Sequence, residues 1–259
     1  MKNHLISFAI GFAAGIFGGL IGIGGGIIMV PLMIAVLKFS RQQAHGTSLV
    51  GMIFTGLGGA FTYGLQGNVN LLAAAVLAGT GVFTAYAGAH FASALPDWKL
   101  KKAFGGFLIF CAAVMIMKPF LHAGGTTHSV YFNILVFLIT GAATGFLSGM
   151  MGVGGGAIMI PAMVLLAGFG QHVAQGTSLL VIVPVGMVGA FAHHELGNVV
   201  KGCLPGLIPG ILLGVFLGGL LTGFIPDTPL RLVFMAAIIF VGIRYIRASA
   251  PSMFTDIIS

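Results

Sequence analysis

Apolar runs long enough to span a membrane occupy nearly the whole chain, and this feature limits the fold more than any other. Only 6% of the 259 residues are charged, whereas a soluble domain has about 25% Asp, Glu, Lys and Arg. Such a chain has too few charged side chains to cover a surface that faces water. The runs are continuously apolar and do not alternate, which disfavours a transmembrane β-barrel. We therefore predict an all-α polytopic membrane protein and exclude a soluble enzyme, a disordered chain and a disulfide scaffold.

The sequence contains an internal duplication with an offset of 130 residues. Aligned without a gap, Gly11–Asn70 and Gly141–Val200 are identical at 25 of 60 positions. Composition bias aligns Gly with Gly, but it does not align Pro, Thr-Ser and Asn at a single offset. We predict two repeats of about 130 residues, at 1–122 and 131–250, joined by a loop at 123–130.

Each repeat has the same order of apolar segments. A long segment runs into a Gly-rich break, a shorter segment follows, and three long segments end the repeat. A membrane span needs about 20 residues, so Ile27–Leu37, with 11 residues, is predicted to be a broken or re-entrant half-helix. The predicted segments are His4–Ile21, Ile27–Leu37, Gln43–Leu65, Leu71–Ala94 and Lys102–Leu121, and then Phe132–Met151, Ala157–Phe169, His172–Leu196, Val200–Phe224 and Leu230–Ile246.

The positions of Lys and Arg favour one of two topologies. If each broken pair begins and ends on the same side of the membrane, nine of the 11 basic residues share one side, opposite Lys118 and Arg231. If the pair crosses once, the split is five to six. The positive-inside rule favours the first arrangement, which predicts two inverted-topology repeats with both termini cytoplasmic. Inverted repeats with broken helices are typical of secondary transporters, whose substrate site lies at the repeat interface.

The two Gly-rich breaks are candidate anion-binding sites. A Gly run that leads into a half-helix exposes N–H groups and the positive end of a helix dipole, without any charged side chain. Close packing between helices explains an isolated Gly triplet better, but two triplets at the same repeat position, each at a break, favour a site. The candidate residues are Gly24, Gly25 and Gly26 in the first repeat and Gly154, Gly155 and Gly156 in the second.

Hydroxyl and side-chain nitrogen donors follow the breaks in both repeats. They are His45, Thr47 and Ser48 in the first repeat and Gln175, Thr177 and Ser178 in the second. We expect the Gly-Thr-Ser motifs to open the next long helices and their hydroxyls to donate hydrogen bonds to a substrate oxyanion. Capping of those helices is the structural alternative. Because His45 and Gln175 differ at one repeat position, we expect each half to have its own polar group.

Two glycine stripes predict close contacts between helices. Gly141, Gly145 and Gly149 form one small-xxx-small stripe, and Gly210, Gly214 and Gly218 form the other. Small residues at this spacing let helix backbones approach each other in a membrane.

Carboxylates are absent from the interior of the predicted spans, since Asp97, Glu195, Asp227 and Asp256 all fall at predicted helix ends or in loops. Buried Asp and Glu form proton relays in membrane proteins, and cation sites need acids too, so the sequence favours an anionic substrate. We ascribe the net charge of +7 to cytoplasmic loops rather than to nucleic acid binding. No metal site, cofactor or nucleic-acid partner is expected. The expected partners are a small anionic substrate and the lipid bilayer, and a homodimer stays open.

The doubled motif resembles the TauE/SafE family of sulfite exporters. One copy reads GIGGGIIMVP at Gly22–Pro31 and the other GVGGGAIMIP at Gly152–Pro161, each followed by Gly-Thr-Ser. The likeness covers roughly residues 5–247. It implies an inner-membrane permease for sulfite, organosulfonates such as sulfoacetate, or related oxoanions, with the Gly, Thr and Ser residues named above as its site. A passive anion channel and a permease for another small oxoanion or carboxylate stay open, as do the direction of transport and coupling to H⁺ or Na⁺.

Overall fold

The computed structural model describes residues 2–91, 97–121 and 130–247. All regular elements in these ranges are helical: α1 Lys2–Ile21, α2 Gly26–Leu37, α3 Arg41–Leu65, α4 Leu71–Phe91, α5 Asp97–Leu121, α6 Val130–Met151, α7 Gly156–Leu165, α8 Gln171–Glu195, a 3₁₀ turn Lys201–Cys203, α9 Leu204–Thr222 and α10 Asp227–Ile246. Seven helices are long and apolar enough to cross a membrane. The all-α polytopic prediction is thereby confirmed. The predicted loop at 123–130, apart from Val130, and Asp256 lie outside the described residues.

Two short helices follow the Gly-rich breaks, as the sequence predicts. α2 has 12 residues and α7 has 10, so they are about 18 and 15 Å long, well under the ~30 Å hydrocarbon core. α7 ends at Leu165, before the expected Phe169. The chain turns there at Gly168, whose φ of 73° suits glycine, and the Phe169 N–H donates back to the carbonyl oxygen of Met163 at 3.0 Å.

α3 and α8 begin before their Gly-Thr-Ser motifs, which corrects the expectation that these motifs open the helices. Ser40 and Gln43 form a capping box at the start of α3: the Gln43 N–H donates to Ser40 Oγ at 3.2 Å, and the Ser40 N–H donates to Gln43 Oε1 at 3.1 Å. α3 therefore starts at Arg41, and α8 starts at the equivalent Gln171. Each motif consequently lies in the second turn of its helix.

Helices from the two halves of the chain interleave, because α1 packs along α9 and α4 packs along α6. A β-carbon added to Gly210, Gly214 or Gly218 would lie 2.2–2.3 Å from carbonyl oxygens of α1. One added to Gly141, Gly145 or Gly149 would lie 2.0–2.4 Å from carbonyl oxygens of α4. The predicted close contacts at the two glycine stripes are confirmed.

Contacts between helices come in repeat-equivalent sets. α1 with α9 corresponds to α6 with α4, while α3 pairs with its own equivalent α8, and α5 pairs with α10. Such reciprocal contacts are expected when two repeats pack against each other around a shared axis of pseudo-symmetry. This packing brings the second turns of α3 and α8 against the two breaks. The inverted orientation in the membrane and the boundaries 1–122 and 131–250 stay predictions.

Candidate functional site

The Gly-rich breaks depend on backbone conformations that glycine adopts without strain. In the first break Gly22, Gly24 and Gly25 have φ values of 78°, 93° and 77°. In the second break Gly152 and Gly154 have φ values of 58° and 87°, but Gly155 has an ordinary φ of −86°. The two breaks therefore share a sequence pattern and differ at the residue that precedes the half-helix.

The two breaks touch each other between the halves of the molecule. A β-carbon on Gly26 would lie 2.5 Å from the carbonyl oxygen of Gly152, and one on Gly156 would lie 2.5 Å from that of Gly22. A β-carbon on Gly154 would lie 2.4 Å from the carbonyl oxygen of Ile23. The predicted site residues of both repeats thus meet in one place, with no room for side chains at these glycines.

Each half-helix presents backbone donors at its start. The N–H groups of Ile28 and Met29 turn back to the Gly25 carbonyl oxygen at 3.0 Å, and α7 repeats this pattern around Gly155. The N–H groups of Gly26 and Ile27 precede that turn and have no acceptor in the described part of the chain, as is general for a helix N-terminus. These groups and the helix dipole favour a negative charge at the break.

The two Ser hydroxyls bind the opposite break. Ser48 Oγ lies 2.7 Å from the carbonyl oxygen of Gly152, and Ser178 Oγ lies 2.6 Å from that of Gly22. Each is also 2.8 Å from the carbonyl oxygen three residues earlier in its own helix. A hydroxyl has one hydrogen. In this conformation each of the two fully buried Ser side chains therefore donates its only hydrogen to a carbonyl oxygen of the protein.

The two Thr hydroxyls bind backbone on the far side from the breaks. Thr47 Oγ1 accepts from the N–H of Val200, and Thr177 Oγ1 accepts from the N–H of Asn70, both at 3.0 Å. These N–H groups lie just before α9 and α4. Each Gly-Thr-Ser motif therefore connects its own helix to two segments of the other repeat.

Gln175 carries a buried donor with no acceptor, and it lies against the first break. Its Oε1 accepts from Tyr63 Oη at 2.8 Å, whereas its Nε2 has no hydrogen-bond partner among the described residues. A β-carbon on Gly22 would lie 2.7 Å from the Gln175 Cβ. Because nearly all buried polar groups are paired, an orphaned amide at this place points to a ligand or a water.

Thr144 of α6 is the corresponding orphan at the second break. Its Oγ1 is buried without a partner in the described residues, and a β-carbon on Gly155 would lie 1.8 Å from its Cγ2. Sequence reasoning did not select Thr144. The sequence signal that could have identified Thr144 is that the two repeats differ at this position, where the first repeat has Ala14.

His45 lies against the second break, opposite to Gln175 at the first. The His45 ring is hydrogen-bonded through Nδ1 to the carbonyl oxygen of Met151, and its backbone packs on Gly152. His45 is 6% exposed and lines a cavity. Met52, a further residue that sequence reasoning missed, fills the space between the breaks, close to Gly26 and Gly154.

A cavity of about 1010 Å³ reaches the first break. Gly25 and His45 line its inner end, and the walls come from α1, α2 and α10. The second half-helix is covered instead: α5 packs against α7, and Ile158 and Ile160 of α7 are buried while Ile28 of α2 is partly exposed. Access to the two breaks is therefore unequal.

Comparison with known proteins gives one family. The sequence model of the family described as "Sulfite exporter TauE/SafE" matches residues 7–245. The chain is 29% identical over 220 residues to the probable membrane transporter protein YunE of Bacillus subtilis (strain 168), covering 76% of this chain and 80% of that protein. It is 33% identical over 195 residues to a probable membrane transporter protein of Haemophilus influenzae, covering 73% of this chain and 72% of that protein. No solved structure matches the chain significantly.

Proposed function

Because this chain belongs to the sulfite exporter TauE/SafE family of membrane transporters, we propose that it is a secondary transporter of sulfur-containing anions. The substrate in this proposal is sulfite or an organosulfonate, which leaves the cell across the inner membrane. Both termini lie in the cytoplasm, where the positive-inside rule puts the basic residues. Efflux of an anion down an inside-negative potential gains about 2.3 kcal/mol per charge per 100 mV, so the transport step needs no coupled ion.

The observation that carries the proposal is a set of buried donors without acceptors around two touching helix breaks. Gln175 Nε2 at the first break and Thr144 Oγ1 at the second have no partner in the described residues. Glu195 lies at the end of α8, and Asp227 at the start of α10 binds the N–H groups of Gln171 and His172. Hydrogen-bond donors and helix dipoles at the breaks suit an oxoanion and not a cation.

In this proposal the substrate contacts the backbone of Gly24–Gly26 and Gly154–Gly156 together with Gln175, Thr144 and His45. Ser48 and Ser178 act one step away, because their hydroxyls bind carbonyl groups of the breaks. Thr47 and Thr177 act further away, because their hydroxyls bind the backbone just before α9 and α4. The preorganised N–H groups then face the anion without reorganising when it binds.

Unequal cover of the two half-helices supports alternating access. A cavity lies beside α2, whereas α5 packs against the equivalent α7. Two repeats with related sequences need not adopt the same conformation, and exchange of their conformations would open the other break. Rocking of one half around a central site is the usual mechanism of transporters built from inverted repeats.

The test is efflux of sulfite from proteoliposomes under an imposed potential, with sulfate and an organosulfonate as competitors. We expect saturable, potential-driven efflux. Thr144→Val and Gln175→Leu, which remove one orphaned donor each, should lower it at least tenfold when combined, because each lost hydrogen bond to a charged group costs about 1.5–3 kcal/mol. Thr80→Val is the matched control, since Thr80 bonds only to its own helix.

Each outcome of this experiment distinguishes the proposed function or site from an alternative. Non-saturating flux without exchange would replace the transporter by a passive channel. Counterflow of the organosulfonate without sulfite movement would keep the mechanism and change the substrate. Full activity of the double variant, with Thr80→Val equally active, would contradict the site assignment. Cysteine cross-linking in native membranes tests separately whether the protein forms a homodimer.

A further inference from the structure

The cavity between α1, α2 and α10 has walls that do not suit a small oxoanion. Apart from His45, Arg244, Tyr245 and backbone, its lining consists of Ile, Val, Leu, Ala, Phe and Pro side chains. An oxoanion that enters apolar surroundings loses its hydration without gaining hydrogen bonds. The volume of about 1010 Å³ is at the upper end of the range for small-molecule pockets. Its main occupant therefore has a large apolar part.

The cavity is as long as one leaflet of a bilayer is deep. Its lining on α10 extends from Val233 to Tyr245, a rise of about 18 Å along the helix, which is slightly more than half of the ~30 Å hydrocarbon core. Arg244 and Tyr245 lie in the last turn of α10. Arg and Tyr near the end of a spanning helix lie at the level of the lipid head groups.

The cavity opens sideways toward the bilayer. Its rim includes Phe17, Val233 and Phe240, which are 48%, 40% and 67% exposed. Side chains of this kind on spanning helices face hydrocarbon. An acyl chain enters through such a rim without crossing water.

Arg244 is an exposed cation without a partner at the mouth of this cavity. It forms no hydrogen bond or ion pair with any residue in the described ranges. Asp227 is bound to His172 and lies at the opposite end of α10. A phosphate group supplies the missing charge, and the residues that line the cavity include no carboxylate to bind the ammonium group of a zwitterionic lipid.

We propose that this cavity binds an anionic phospholipid, with an acyl chain between α2 and α10 and the phosphate on Arg244. The lipid fills the apolar space beside α2, and α5 fills the equivalent space beside α7. The proposal concerns the purified protein and does not depend on the identity of the transported anion.

The experiment measures thermal unfolding of the detergent-purified, full-length protein with added dioleoylphosphatidylglycerol or dioleoylphosphatidylcholine. We expect phosphatidylglycerol at about 100 times its Kd to raise Tm by about 5 °C or more, and phosphatidylcholine to have less effect. Arg244→Gln and the cavity-filling Ala237→Trp should each remove the phosphatidylglycerol shift.

Two variants are matched controls. Arg247→Gln removes a neighbouring cation outside the lining, and Ala113→Trp adds the same bulk at an exposed position of α5; both should keep the shift. Equal shifts with the two lipids, or a shift that survives in Arg244→Gln, would overturn the proposal. Saturable transport of octanesulfonate that Ala237→Trp abolishes, without any phosphatidylglycerol shift, would assign the cavity to substrate and also overturn it.

Discussion

Ser48 and Ser178 each have a single hydroxyl hydrogen, and a carbonyl oxygen across the repeat interface lies 2.7 or 2.6 Å from the hydroxyl. Replacement by Ala leaves that carbonyl group buried with one partner fewer. We expect Ser48→Ala and Ser178→Ala to lower the free energy of unfolding by about 1–3 kcal/mol each, measured as a fall in Tm in detergent.

Thr144→Val is the informative comparison for these two variants. The Thr144 hydroxyl has no partner in the described residues, so its replacement by a methyl group removes a desolvation penalty and no hydrogen bond. We expect an unchanged or higher Tm together with slower transport. A Tm loss as large as that of Ser48→Ala would show that Thr144 is structural and would remove it from the site.

Sequence reasoning identified the Gly, Thr and Ser positions because they recur at one offset, and the structure brings these positions together. It did not identify what the hydroxyls bind, because their acceptors are 104 and 156 residues away in the chain. It also passed over Thr144 and Met52. Repetition draws attention to residues that the two halves share, whereas the proposed site also includes a residue in which they differ, Thr144 against Ala14.

At the scale of helices, glycine faces allow the α1–α9 and α4–α6 pairs to approach closely. Two glycines of α4 distinguish the effect of this close packing from the effect of glycine on helix propensity. A β-carbon on Gly88 would lie 2.1 Å from the Phe146 carbonyl oxygen, whereas one on Gly79 would meet nothing within 4 Å. We expect Gly88→Ala to destabilise the fold by about 1–3 kcal/mol and Gly79→Ala to be neutral or to stabilise it by up to about 1 kcal/mol. Thermal unfolding of both variants measures this, and equal Tm values would contradict the assigned contact.

The order and type of the helices were predictable because apolar length and glycine breaks determine them. The residues at which the helices begin and end were harder to predict. The predicted segment for α3 started at Gln43, two residues after the observed start at Arg41, because the capping box of Ser40 and Gln43 was not recognised in the sequence. α7 ends in a turn in which Gly168 has a positive φ. The sequence did not indicate this turn because the apolar run continues to Phe169.

At the scale of the whole molecule, the predicted inversion fixes which loops face the cytoplasm. A phosphatase reporter fused after Asn68, between α3 and α4, should be active because the predicted topology puts that loop in the periplasm. A fusion after Lys102, early in α5, should be inactive because the predicted topology puts that end in the cytoplasm. The positive-inside rule gives the reason, and the reverse pattern would exclude the inverted orientation.

Alternating access makes a prediction about both halves at once. Val36 of α2 and Leu166 just after α7 occupy equivalent repeat positions, as do Phe240 of α10 and Phe110 of α5, and all four side chains are exposed. Spin labels at Val36 and Phe240 report the separation of α2 from α10, and labels at Leu166 and Phe110 report that of α7 from α5. Cys111 and Cys203 are buried and are replaced first.

If the two halves exchange conformations, conditions that drive transport should shift the two distance distributions in opposite directions. The Val36–Phe240 distance shortens as the cavity closes, and the Leu166–Phe110 distance lengthens as α5 leaves α7. A second population of a few per cent already present without substrate is expected, because a ligand shifts an existing equilibrium. Two distributions that never change would leave a fixed path through the protein, which is the behaviour of a channel.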